Sequence, residues 1–204
     1  MTVKYPNGKT YRESTGDFKK ATGEKTRRHG VAGRANMGMN LEKDVIKSCD
    51  FFREKGLASI YKRPTPIHVY KVDPKNPNKI TEAHFQEKST TDFVGVYKAK
   101  YIDFECKETA SDTLEFQRIR PQQITHLDLV LKLGGIGFFV VSFTQRNEVY
   151  LLDARYVVDR VLGAKSHQGY KRDFFRTNGC LISQGFIPRL ELLEAIDRMY
   201  FPAK

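Results

Sequence analysis

Thr90-Thr91-Asp92-Phe93-Val94-Gly95-Val96-Tyr97-Lys98-Ala99-Lys100-Tyr101-Ile102-Asp103-Phe104-Glu105-Cys106-Lys107-Glu108-Thr109 holds two runs of β-favouring residues, Asp92 to Tyr97 and Tyr101 to Lys107. A short polar Lys-Ala-Lys connection separates them, the pattern of a hairpin. Side chains alternate along a strand, so Ile102, Phe104 and Cys106 share one face while Tyr101, Asp103, Glu105 and Lys107 share the other. If the two strands pair, Asp92 comes near Glu105 and Lys107. Two carboxylates and a lysine then converge at one point of a sheet.

An Asp, about a dozen residues, then Glu-x-Lys is the PD-(D/E)xK arrangement of metal-dependent nucleases. Carboxylates supply the hard oxygen ligands a divalent ion needs, with positions left open for water and a phosphate oxygen. A lysine beside the ion can orient the attacking water and offset charge that develops on the phosphate. With 29% charged residues, acid-x-Lys also arises by chance, as in Asp17-Phe18-Lys19 and Asp73-Pro74-Lys75. Neither of those lies in a strand-like alternation, and one contains a proline that a central strand would not tolerate. A solvated hairpin face with an ordinary Glu-Lys pair is the plainer alternative.

The rest of the composition narrows the field. The chain has 204 residues, 40% hydrophobic and 12% aromatic, enough for one substantial domain. No apolar run is long enough for a membrane span and the N-terminus is polar, so a cytoplasmic protein with no membrane partner is expected. Three cysteines, Cys49, Cys106 and Cys180, show no C-x-x-C spacing and read as reduced core residues, not a disulfide framework or zinc site. The five histidines are scattered, and His126 reads as structural or flanking. A formal charge of +11 points to a polyanionic partner. Residues 1 to 36 carry nine Lys/Arg against three Asp/Glu, and residues 61 to 80 carry five against one. Two basic segments therefore hold nearly all the excess, which favours nucleic acid over a merely solvated face.

In chain order, residues 1 to 36 read as a flexible basic arm that includes Arg27 and Arg28, and residues 37 to 204 as the folded domain. Asn40 is a plausible cap for a helix to about Lys55, with Leu41, Val45, Cys49 and Phe52 on one face and Gly56 as its stop. Glu42 falls in the first turn, where spacing alone makes it a partner of the helix dipole. Ala58 to Arg63 reads as a strand. Half of the eight prolines lie between 64 and 77, so residues 64 to 88 look like a two-legged extension with a Pro/Asn tip and basic flanks. Pro121 suits the first position of a helix to about Leu133, with Ile124, Leu127 and Leu131 buried. Ile136 to Phe143 is a nearly continuous apolar run, as in a strand covered on both faces, and Glu148 to Leu152 can pair with it. A short helix over 154 to 162, a polar basic stretch to Arg176 and a final helix from Arg189 to Tyr200 complete the chain. Helix, three strands, helix, strand is the order of a restriction-endonuclease-like α/β fold: a mixed sheet flanked by helices, here with a protruding stalk.

Several blocks together resemble the RecU family of Holliday-junction resolvases. They are Tyr5-Pro6-Asn7-Gly8-Lys9, Met39-Asn40-Leu41-Glu42-Lys43-Asp44, Lys62-Arg63-Pro64-Thr65-Pro66-Ile67, Ser89-Thr90-Thr91-Asp92-Phe93, Tyr101-Ile102-Asp103-Phe104-Glu105, Glu148-Val149-Tyr150-Leu151-Leu152 and Pro188-Arg189-Leu190. The resemblance implies Asp92, Glu105 and Lys107 as catalytic acids and lysine. It also implies Thr91 as the hydroxyl residue beside the metal, Glu42 as an acid from the first helix, and Gln123 as a glutamine near the active site. The implied metal ligands are Asp92, Glu105, Thr91 and Gln123, holding magnesium with manganese as a substitute. A homodimer, a stalk over about 64 to 88, and contacts with recombinase and branch-migration proteins are implied as well.

The expected function is a magnesium-dependent endonuclease that resolves four-way DNA junctions by paired symmetric nicks in recombination and repair. Lys62, Arg63, Lys71, Lys75 and Lys79 are expected to meet phosphates at the junction centre, with Arg27 and Arg28 adding contacts from the arm. The alternative is a recombination regulator that binds junctions without cutting them.

Overall fold

A computed structural model of the chain describes residues 41–85, 90–163 and 168–202. The arm read over 1 to 36, with Arg27 and Arg28, lies outside those residues, as does Asn40. In chain order the elements are α1 (Leu41–Glu54), β1 (Ser59–Lys62), β2 (Ile67–Asp73), β3 (Asn76–Phe85), β4 (Phe93–Tyr97), β5 (Lys100–Thr109) and β6 (Thr113–Leu114). A 3₁₀ turn (Phe116–Arg118) leads to α2 (Pro121–Lys132), β7 (Ile136–Phe143), β8 (Glu148–Asp153), α3 (Ala154–Leu162), β9 (Tyr170–Lys171), α4 (Arg172–Asn178), β10 (Cys180–Leu181) and α5 (Leu192–Tyr200).

Six strands form the main sheet in the order β1-β4-β5-β7-β8-β10. β4 and β5 pair antiparallel, Phe93 opposite Phe104 and Tyr97 opposite Lys100, so the connection is the two-residue turn Lys98-Ala99. Both turn residues have positive φ, 46° and 59°, as a type I′ hairpin turn demands. β5 then runs parallel to β7. Parallel neighbours need a crossover, which α2 provides. On the other side, β4 pairs with β1, where Gly95 faces Ile60. A Cβ at Gly95 would stand 2.2 Å from the Ser59 carbonyl oxygen, so only glycine admits β1 this closely.

Helices cover both faces of the sheet, which is why all eight residues of β7 are buried. One face packs Ile60, Phe93, Ile102, Phe104, Cys106 and Phe138 against the apolar stripes of α1 and α5. Phe93, Phe104 and Phe138 stack across three strands at centroid distances of 4.9 and 4.6 Å. The other face packs Phe139, Val141, Phe143, Tyr150 and Leu152 against α2, α3 and α4. This is the mixed sheet flanked by helices expected from sequence, with the hairpin strand β5 near the middle of the sheet.

Residues 67–85 form a separate two-stranded antiparallel ribbon, β2 against β3, whose residues are almost all exposed. Its turn carries Pro74 and Lys75. The closing helix starts at Leu192, later than the Arg189 expected from sequence. Leu190 is fully buried and its backbone N–H donates to Ser48 Oγ at 2.8 Å, so this segment is tied to α1 before helix can begin. Ile187-Pro188 is cis. The stretch read as polar and basic up to Arg176 contains α4, which anchors through the buried Phe175. Two turns are too short for periodicity to reveal it. All three cysteines are free and buried.

Candidate active site

Asp92 stands one residue before β4, beside the middle of β5. Its Oδ2 accepts from the Cys106 backbone N–H at 2.9 Å, which holds the carboxylate against β5 close enough to Glu105 to repel its charge. The alternation of β5 sends Ile102, Phe104 and Cys106 into the α1 core and turns Glu105 towards α2. Glu105 is 2% exposed; its Oε1 accepts from the Lys107 ammonium, while its Oε2 is buried with no hydrogen-bond partner. Burial first, then repulsion from the Asp92 carboxylate, pushes Glu105 up to about 7, with Lys107 and the nearby Gln123 amide pulling the other way. Gln123 is buried on α2, its Oε1 accepting from the Arg120 backbone N–H at 3.0 Å.

A buried carboxylate oxygen without a donor, next to a second carboxylate, is the deficit a hard cation removes. Among the described residues no three His, Cys, Asp or Glu cluster in a ligand arrangement. The donor set at hand is two carboxylates, Asp92 and Glu105; the Thr91 oxygen gives its proton to Asp103 and keeps lone pairs to offer, whereas Gln123 Oε1 would have to release the Arg120 N–H to join them. That set suits an ion that keeps several of its waters, so the residues present fit a divalent cation.

The first helix joins the site from the side. The Leu41 backbone N–H at the start of α1 donates to Glu108 Oε1, pinning the helix start to β5 one residue beyond Lys107. Glu42 pairs with Lys62 of β1. That hydrogen bond, with the Asp92 charge nearby, raises the Lys62 pKa. Leu41, Glu42, Cys106, Lys107, Glu108 and the exposed Arg118 line a cleft of ≈ 280 Å³. Glu42 therefore belongs to the site's wall, as well as to the first turn of its helix.

Beside this group lies a second cluster that sequence alone did not single out. Asp103 is 0% exposed. Its Oδ1 accepts from the Thr91 hydroxyl. Its Oδ2 accepts from Arg63 Nη2 at 2.6 Å and the Tyr101 hydroxyl at 2.9 Å, and lies 2.8 Å from His126 Nε2. The available signals were the position of Asp103, two residues before Glu105 on the same strand face, and that of His126, three residues after Gln123 on α2.

The basic residues divide by location. Lys62 ends β1 and Arg63 follows it, so both sit at the site and not on the ribbon. On the ribbon, Lys71 pairs with Glu82 at 3.0 Å and Lys79 with Asp73 at 3.5 Å, all but Asp73 well exposed. Lys75 is exposed in the turn, its backbone N–H bonded to Asp73 Oδ1 at 2.9 Å. Among the described residues, no helix is long and apolar enough to cross a membrane.

Residues 36–198 match the family model described as RecU, recombination protein U. Three relatives bear the name Holliday junction resolvase RecU. One from Geobacillus kaustophilus is 38% identical over 206 residues, spanning 98% of this chain and 99% of its own. One from Bacillus cytotoxicus is 36% identical over 207 residues, spanning 98% and 100%. One from a Geobacillus strain, WCH70, is 40% identical over 209 residues, spanning 98% and 99%. Among solved structures, the Holliday junction resolvase Hjc of Archaeoglobus fulgidus superposes with a TM-score of 0.38 at 10% identity, covering 63% of this chain and 88% of that one. A superposition that loose carries no weight.

Proposed function

The chain belongs to the RecU family, and from that premise we propose that it is a DNA endonuclease that resolves four-way junctions by paired nicks, using magnesium or, in its place, manganese. One observation carries the catalytic half of the proposal: a buried, donorless oxygen of Glu105 beside Asp92, with Lys107 against the same carboxylate. Asp92 and Glu105, with Thr91 and Gln123, would hold the cation, which when bound supplies a Lewis acid for a phosphate oxygen and lowers the pKa of a coordinated water.

The chain's own groups account for the rest. Lys107, largely buried against Glu105, keeps its ammonium at the scissile phosphate, where it orients water and offsets charge that grows during in-line attack. Glu42 lies on the wall of the Lys107 cleft, placed to orient a further water. Exposed Lys71, Lys75 and Lys79 on the ribbon, and Lys62 at its root, supply phosphate contacts. A homodimer would present two such sites to the two opposed strands of a junction with pseudo-two-fold symmetry. In this reading residues 1 to 36 are a basic arm, residues 37 to 204 are the nuclease domain, and the protein works in the cytoplasm with recombinase and branch-migration proteins.

The experiment is strand cleavage of a labelled four-way junction and a matched linear duplex, with magnesium or EDTA, for the wild type and Asp92→Ala. Paired nicks on the junction alone, dependent on the cation and abolished in Asp92→Ala while junction binding survives, support the proposal. Tight junction binding without cutting by the wild type would instead make it a binding regulator, and equal cutting of both substrates would remove junction selectivity.

A further inference from the structure

We propose that Arg63 is a positioning residue that couples the ribbon to the cleavage site, and not a phosphate contact as its charge suggests. The inference rests on reading the chain as a junction nuclease. Arg63 is the last residue before Pro64-Thr65-Pro66, the leg that leads into β2. Both prolines have a fixed φ, and each restricts the residue before it, so this leg is stiff. A displacement of the ribbon therefore arrives at Arg63 and is not absorbed on the way.

At Arg63 the chain is fastened to the site twice. Its backbone N–H donates to the carbonyl of Asp92 at 2.7 Å. Its guanidinium reaches past Thr91 to Asp103, with Nη2 at 2.6 Å from Oδ2 and at 3.4 Å from Thr91 Oγ1. Asp103 is a fixed anchor because Tyr101, Thr91 and His126 bond the same carboxylate. Arg63 thus links the ribbon's root, the residue before Asp92, and the strand that carries Glu105. Its side chain is 25% exposed, and Nε is buried with no partner. A guanidinium turned out to meet a phosphate would keep all five N–H groups satisfied, by solvent or by the phosphate. This one leaves Nε unsatisfied to reach Asp103.

The test uses the full chain with magnesium and a labelled four-way junction. Arg63→Gln should bind the junction with Kd within about twofold of wild type and an unchanged slope of log K against log salt. Its single-turnover cutting at saturating enzyme should fall roughly ten- to hundredfold, the scale of a small misplacement. Arg63→Lys keeps a cation beside Asp103 but cannot bridge as a fork, so it should bind normally and recover only part of the rate. It also serves as the readable variant if the glutamine does not fold. In a protein already lacking Lys71, Lys75 and Lys79, the rate loss from Arg63→Gln should be smaller than in wild type. Weaker binding with a slope reduced by about one and an unchanged saturating rate would make Arg63 a phosphate contact and overturn the inference. Unchanged binding and rate would overturn it as well, and fully additive rate losses would remove the coupling. A wild type that does not cut junctions overturns the nuclease reading and this inference together; a wild type that cuts while Arg63→Gln matches it overturns the inference alone.

Discussion

Replacing Glu105 by Gln should make the cation-free protein more stable at high pH. Glu105 is pushed from 4.5 to about 7 by burial and by the Asp92 carboxylate. The folded state therefore holds a proton that the unfolded chain releases between those values. The unfolded state binds fewer protons in that window, so stability falls as pH rises from about 4.5 to about 7, the reverse of the usual salt-bridged carboxylate. Between pH 5 and pH 8.5 a single such group costs about 2.5 kcal/mol. Gln cannot ionise and escapes this loss. Urea denaturation of both proteins in EDTA at the two pH values gives the difference between them, and groups common to both cancel. The wild type should lose about 2.5 kcal/mol relative to Glu105→Gln on going from pH 5 to pH 8.5. Magnesium at pH 8.5 should stabilise the wild type more than the variant, which keeps Asp92 but has lost the second carboxylate. A difference that stays constant with pH, or grows in the other direction, would refute the claim that Glu105 is a carboxylate destabilised in its ionised form by burial.

The remaining predictions test other parts of the molecule. Replacing Lys71, Lys75 and Lys79 by Ala should weaken junction binding more than duplex binding and flatten the salt slope by about two to three; equal loss on both substrates in a binding titration would remove the ribbon from junction recognition. Asp103→Ala strips the shared acceptor from Arg63, Thr91, Tyr101 and His126, and should cost about 3 kcal/mol in urea denaturation, the low end for a broken buried pair because Arg63 still reaches solvent. Ala99→Gly relieves a non-glycine residue at φ 59°, and should gain about 1 kcal/mol and raise the melting temperature by about 2–4 °C.

Much of the fold was legible because it rests on short-range patterns. The alternation of Ile102, Phe104 and Cys106 against Asp103, Glu105 and Lys107 placed β5 with one face in the α1 core. The 3.6-residue spacing of Leu41, Val45, Cys49 and Phe52 placed α1, and Pro121 with Ile124 and Leu127 placed α2. Proline crowding set residues 64 to 77 apart from the core strands. α4 and the later start of α5 were not legible, since each depends on a distant partner: Phe175 on the second core, and Leu190 on the Ser48 hydroxyl of α1.

The same division holds at the site. Sequence by itself determined that Asp92, Glu105 and Lys107 converge on one hairpin, because side-chain alternation fixes which face each strand residue takes; the structure shortened the Lys-Ala-Lys connection to the two-residue turn Lys98-Ala99. Glu42 and Gln123 entered through resemblance, as nothing in their own spacing distinguishes a site residue from a helix-terminal one. Only the tertiary structure decided that Glu105 Oε2 is buried without a donor, that Glu42 meets Lys62, and that Arg63 turns inward to Asp103 beside His126. The physical reason is that burial and long-range hydrogen bonds are properties of packed elements. A lysine or arginine reads as one positive charge along the chain, and which carboxylate it meets is settled when β1, β4, β5 and α2 come together.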